Sequence, residues 1–187
     1  METPARRRVL VAVVGGEPGD RIQAWRERHD PKQAARLPPH LTVCYRPPDA
    51  PAADIEAQVR HAFPEPVAVR LGPVFVLPHP EAPLAVSIHQ AEALDAARRR
   101  LFDGRYVQLG GRAEWPWHIT CIRYGHSRDR DALLATAAEQ LALDQPWLIE
   151  TISYLELRDR RYEPVAEWDL RRAPHAAVTA VRQTRPG

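Results

Sequence analysis

Cysteine is nearly missing from this sequence: Cys44 and Cys121 are the only two. Two are too few for a disulfide-built scaffold. Without a Cys-x-x-Cys pair there is neither a zinc-ribbon nor a thioredoxin-type signature. Lysine is scarcer still, with Lys32 alone, so arginine carries the basic charge. With abundant alanine and 19 prolines this reads as a genomic compositional bias and carries no functional message. The net charge is only +2, small for a protein that coats duplex DNA. No apolar run approaches the roughly 20 residues of a membrane-spanning helix. The basic start, residues 1–8, leads into a short apolar run, Val9 to Val14, that Gly15-Gly16-Glu17-Pro18 closes before it reaches signal-peptide length. A soluble, cytoplasmic, monomeric protein is expected.

What is present suits a globular domain. Apolar residues make up 44% of the 187, enough for one core or for two small lobes sharing one. The hydrophobic patterning predicts strands at 8–14, 40–45, 67–77, 84–88, 117–124, 147–157 and 165–170, with a further short strand at 106–109. Helices are predicted from an Asp20 cap to Arg28, within 49–63, over 92–102 and over 130–143. Residues 30–39 read as loop closed by Pro38-Pro39, and 158–163 as a hairpin turn. Mixed helices and strands, several close enough to pair antiparallel, predict an α+β fold. Residues 1–172 read as one domain and 173–187 as a loose tail.

The strongest local signal is a repetition. Pro39-His40-Leu41-Thr42-Val43 and Trp117-His118-Ile119-Thr120-Cys121 carry the same His-x-Thr pattern, 78 positions apart, each in a β-rich segment followed by a helix. Side chains at i and i+2 of a strand share a face, so each strand offers one imidazole and one hydroxyl to the same side. Two imidazoles facing one groove suit acid–base work on phosphate. One takes a proton from water or a ribose hydroxyl, and the other gives one to the leaving oxygen. Threonine hydroxyls can donate to the non-bridging phosphate oxygens. The scheme needs no metal and no cofactor, and His79 and His89 fall in no ligand spacing.

These paired motifs resemble those of the 2H phosphoesterase superfamily, the group of 2′-5′ RNA ligase-like proteins and cyclic phosphodiesterases. The resemblance covers roughly residues 8–170, with specificity in the two motifs alone. It implies a bilobal α+β fold, two antiparallel sheets with flanking helices, and pseudo-two-fold symmetry around a central cleft. It implies hydrolysis of cyclic, 2′,3′-type phosphodiesters on an RNA terminus or nucleotide. By motif matching His40 and His118 take the catalytic roles, and Thr42 and Thr120 bind the phosphate. Which histidine is acid and which is base stays open, as does the direction of reaction. A 2′-5′ RNA ligase would use the same residues in reverse, and a non-catalytic RNA-binding module of the same fold is the rival of a different class.

Other residues carry weaker readings. Arg46 and Tyr124, each six positions after a motif histidine, could reach a phosphate or stack on a base. Cys44 could line the cleft but reads better as a small buried residue. Trp115, Trp117 and Trp147 could stack on bases, with core packing the default. The Arg98-Arg99-Arg100 run suits the C-terminal end of a helix, with an RNA contact as the alternative.

Overall fold

The computed structural model describes residues 7–45, 47, 49–81, 83–109, 116–123 and 130–172. Arg46, Tyr124, Trp115 and the expected tail at 173–187 therefore lie outside the described residues. In chain order the elements are β1 (Arg8–Val13), α1 (Gly16–His29), α2 (Pro31–Ala34), β2 (His40–Tyr45), α3 (Ala52–Ala62), β3 (Val67–Val76), β4 (Leu84–His89), α4 (Glu92–Leu101), β5 (His118–Ile122), α5 (Arg130–Gln140), β6 (Gln145–Ile149), β7 (Thr151–Arg158) and β8 (Arg161–Asp169).

The fold is α+β, as expected. The strands form two antiparallel four-stranded halves, in the order β6-β3-β4-β5 and β2-β1-β7-β8. They meet where Leu41 of β2 pairs with Ile119 of β5, making one eight-stranded sheet. The halves correspond element by element: β1-α1-β2 matches β4-α4-β5, with β7 beside β1 as β3 is beside β4. Leu10, Ala12, Leu41, Val86 and Ile119 pack with Ile22 and Trp25 of α1 and Leu94 and Ala97 of α4 in the main core. A small second cluster, Val9, Val11, Leu37 and Leu155 with Tyr162, forms apart from it.

Several boundaries differ from the sequence-based expectation. Helix α1 begins at Gly16, with Asp20 inside it, because Pro18 falls in the first turn, where a missing N–H costs nothing. Gly19 is required there: a Cβ would sit 2.1 Å from the Val14 carbonyl oxygen. Within the expected loop, Pro31–Ala34 forms one helical turn whose Gln33 N–H donates to the Asp30 side chain. No strand forms at 106–109, because the N–H groups of Tyr106 and Val107 donate to Gln58 Oε1 instead of to a ladder. The single strand expected at 147–157 is two strands. They break at Glu150 and lie in opposite halves, β6 against β3 and β7 against β1. The β7–β8 hairpin turns through Asp159 and Arg160, both at positive φ.

Candidate active site

The β2–β5 junction sets the geometry of the site. Leu41 and Ile119 are opposite each other and fully buried in the core. Continuing that register one residue either way sets His40 across from Thr120 and Thr42 across from His118, all on the other face of the sheet. Each imidazole thus has a threonine from the facing strand as its neighbour. The two rings are diagonal neighbours, a relation that spans about 7–8 Å in an antiparallel pair. All four side chains are half-buried and line one cleft of about 790 Å³.

Both rings are anchored in the same way. His40 Nδ1 lies 2.7 Å from the Pro38 carbonyl oxygen, and His118 Nδ1 lies 2.8 Å from that of Pro116. A carbonyl oxygen only accepts, so Nδ1 carries the hydrogen and donates it. The neutral ring then has a bare Nε2 as the atom that exchanges protons. A proline two residues before each histidine supplies the anchor in both halves, a parallel that Pro38 and Pro116 write into the sequence.

The two fields differ. Burial pushes the His40 pKa down to about 4, against the opposing Pro38 hydrogen bond, and the charges of Arg26 and of His118 add to the depression. His118 is also lowered, again first by burial, with the Pro116 hydrogen bond opposing and Arg98 adding. Arg98 stacks 3.6 Å from the Trp117 ring centre, and Trp117 Nε1 donates to Asp95 Oδ1 at 2.8 Å. This fixes the residue before His118 to α4. Trp117 and Trp147 are buried, as the core-packing default has it. In the arginine run, Arg100 donates to the Ala62 carbonyl and joins α4 to the end of α3, a structural task.

A β-bulge follows each motif threonine. Val11 pairs with Thr42 and Leu10 with Cys44, leaving Val43 as the extra residue. Ala85 pairs with Thr120 and Leu84 with Ile122, leaving Cys121 extra. A bulge inverts the alternation beyond it. Cys44 therefore turns into the core, 1% exposed and away from the cleft, and Tyr45 emerges on the cleft side, 51% exposed. At the equivalent place after β5, Arg123 lines the cleft. Simple period-two reading favours the sixth position after each histidine, Arg46 and Tyr124. The described cleft residues are the fifth, Tyr45 and Arg123, and nothing in the local sequence announces the bulge.

The rest of the lining is rich in cations. Arg7, Arg8, Arg26, Arg36 and Arg123 face Asp30 and Glu81. Arg8 is held by Asp49 at 2.7 Å and Glu156 at 2.9 Å, and Arg123 approaches Glu81 at 3.9 Å. Arg36 lies 5.7 Å from the Tyr162 ring centre. Sequence reasoning passed over Arg26 and Tyr162 because they come from α1 and β8, outside either motif, and Arg36, four residues before His40, because it follows α2 in a stretch that reads only as loop.

The family model of the 2′-5′ RNA ligase superfamily matches residues 15–161. The chain belongs to that superfamily. The 2H phosphoesterase resemblance of the motifs stands with it. E. coli LigT complexed with ATP superimposes on this superfamily member with a TM-score of 0.53 at 15% identity, over 89% of this chain and 98% of that one. LigT complexed with 3′-AMP gives 0.51 at 16% identity, over 90% and 99%. Usb1 of Kluyveromyces marxianus is a looser match, 0.46 at 13% identity over 81% and 94%. At these identities the likeness speaks for the fold alone. Among curated proteins none matches significantly. No helix among the described residues is long and apolar enough to cross a membrane.

Proposed function

We propose that this chain hydrolyses a cyclic, 2′,3′-type phosphodiester on an RNA terminus or nucleotide, using His40 and His118 as its acid–base pair. The observation that carries the reading is the matched anchoring of both rings through Nδ1 on one face of adjacent strands. Membership of a superfamily of phosphodiesterases and ligases supports it. So do the ATP and 3′-AMP held by E. coli LigT, which make a nucleotide the natural substrate class.

In this mechanism the phosphate lies between the two rings. His40, which burial holds in its neutral form, accepts a proton at Nε2 from the attacking water as its oxygen bonds to phosphorus. His118, protonated at Nε2, gives its proton to the ribose oxygen as that P–O bond breaks. The product is a phosphomonoester beside a free ribose hydroxyl, and proton exchange with solvent resets the pair. Thr42 and Thr120 donate to the non-bridging oxygens and steady the charge that builds in the transition state. No step draws on a metal or cofactor.

The test is incubation of the purified protein with a 2′,3′-cyclic nucleotide and with a short RNA ending in a cyclic phosphate, in EDTA. A monophosphate product from either supports hydrolysis. Failure on both, with RNA half-molecules joined instead, would assign the ligase direction. Failure on all three would leave the fold without the proposed chemistry.

A further inference from the structure

Among the described cleft cations Arg26 is the most deeply buried, and it shares with Arg36 a buried Nε that meets no acceptor among the described residues. It lies in the last turn of α1 and is 4% exposed, yet it lines the cleft with His40 and Thr42. It forms no ion pair with any described residue. Among the described residues its side chain donates only from Nη1 to Gln23 Oε1 at a long 3.4 Å and from Nη2 to the Gln33 carbonyl at 3.1 Å, and its Nε meets no acceptor there. Asp30 and Cys121 act on it through space. A buried charge that meets only neutral acceptors is costly to keep. Arginine is the cation best suited to such a place, because it stays charged and presents a planar fork of donors.

We propose that Arg26 is the anion anchor of this cleft, supplying from the wall beside His40 the positive charge that holds the substrate's phosphate. This rests on the phosphoesterase reading above and adds a residue that neither motif contains. A bound phosphate supplies at contact distance the negative charge that, among the described residues, reaches Arg26 only through space from Asp30. The same charge acts on His40, which faces Arg26 from α1 and His118 from β5, while His118 faces Arg98. Arg26 therefore has two effects, one on phosphate affinity and one on the proton held by His40.

Inorganic phosphate is the probe, added to the full-length protein while the histidine ring and arginine Nε–H resonances are followed by NMR. Cyclic-nucleotide turnover is measured on the same samples. In the wild type, phosphate is expected to shift both histidine rings and the Arg26 Nε–H with one common Kd. Arg26→Met is expected to weaken phosphate binding about tenfold or more, the weight of a charge-assisted contact. It should also raise the pH at which His40 titrates and leave His118 in place, and Arg26→Lys should restore part of both. A role confined to tying α1 to the α2 turn through Gln33 would instead lower Tm and leave phosphate affinity and His40 titration unchanged in the folded protein, and that result overturns the proposal. An Arg26 Nε–H unmoved by saturating phosphate overturns it on the wild type alone, whatever the fate of the variants. A wild type that turns over cyclic nucleotide but keeps its phosphate affinity in Arg26→Met sinks the anchor and spares the phosphoesterase reading. A wild type with neither turnover nor phosphate binding sinks both.

Discussion

The two halves of the sheet are built alike around the motifs and differ in what stands behind them. Both carry a proline carbonyl that accepts from Nδ1, a core residue between histidine and threonine, and a bulge directly after the threonine. Behind His40, however, is a buried arginine, Arg26, with no ion pair among the described residues. Ahead of His118 is a tryptophan clamped to α4 by Asp95 and stacked under Arg98. A near-symmetric backbone thus fixes where the rings stand, while asymmetric neighbours set how tightly each holds a proton. A symmetric pair of rings would have no reason to divide acid and base duties. Unequal fields supply one, because two groups pushed to different proton affinities can hold a single proton between them in a defined order.

The largest expected effect comes from removing either half's ring. His40→Ala and His118→Ala should each lower kcat by about two orders of magnitude or more, the usual weight of a positioned acid or base. If one variant keeps near-normal turnover of a cyclic nucleotide, the halves are not partners in the chemistry. The double variant should lose little beyond the worse single, since the two rings act as a unit.

The pH dependence sharpens the same comparison. The base must be unprotonated, so kcat/KM should rise as pH passes upward through the pKa of His40, about 4. The acid must be protonated, so it should fall as pH passes through the pKa of His118, which lies below the ordinary value of 6.5. A bell with its top on the acid side of 6.5 is expected in a kcat/KM profile, and an optimum near pH 8 would contradict it. The bell alone does not say which ring owns which limb, but a Thr or Arg variant that moves one limb does.

How much of this was readable in the chain follows from the range of each interaction. The quartet was legible because the i, i+2 rule acts within one strand and the motif occurs twice. The α+β class and most elements followed from local periodicity. Cys44 is the small buried residue expected of it, but strict alternation gives no reason for this, since the Val43 bulge that turns it inward depends on how β2 pairs with Leu10 and Val11 of β1. The merged strand at 147–157 failed for a similar reason: a continuous β-rich run cannot say that its two parts pair with partners in different halves. Arg26 was invisible because its meaning comes from burial beside the cleft without an ion pair among the described residues, not from its neighbours in a helix.

Smaller effects should come from the hydroxyls. Thr42→Val and Thr120→Val keep shape and β-propensity but remove a donor to the phosphate. Each should cost about tenfold in kcat/KM, the equivalent of roughly 1.4 kcal/mol, in the range of a hydrogen bond to a charged group. Because each threonine faces the other half's histidine, the useful measurement is a double-mutant cycle. Thr120→Val should couple to changes at His40, and Thr42→Val to changes at His118. Equal coupling to both rings would mean the register does not extend beyond Leu41 and Ile119.

The smallest effect is expected at the one place where the two bulges differ in chemistry, Val43 in one half and Cys121 in the other. Cys121 lies three residues after His118 and lines the cleft, so a thiolate nucleophile is the reaction its position would suggest. Its surroundings oppose that. Burial pushes the thiol up to about 12, in spite of the nearby Arg26 charge and the hydrogen bond to the Val86 backbone, and the side chain is 1% exposed. At neutral pH only a minute fraction is thiolate. Cys121→Val, which makes the bulges alike, should therefore keep turnover within about twofold, any loss tracking packing and not chemistry. Iodoacetamide should label the native thiol far more slowly than the unfolded one. If Cys121→Val instead abolishes turnover in a protein with unchanged Tm, the asymmetry between the halves is chemical and not electrostatic, and water is no longer the attacking group.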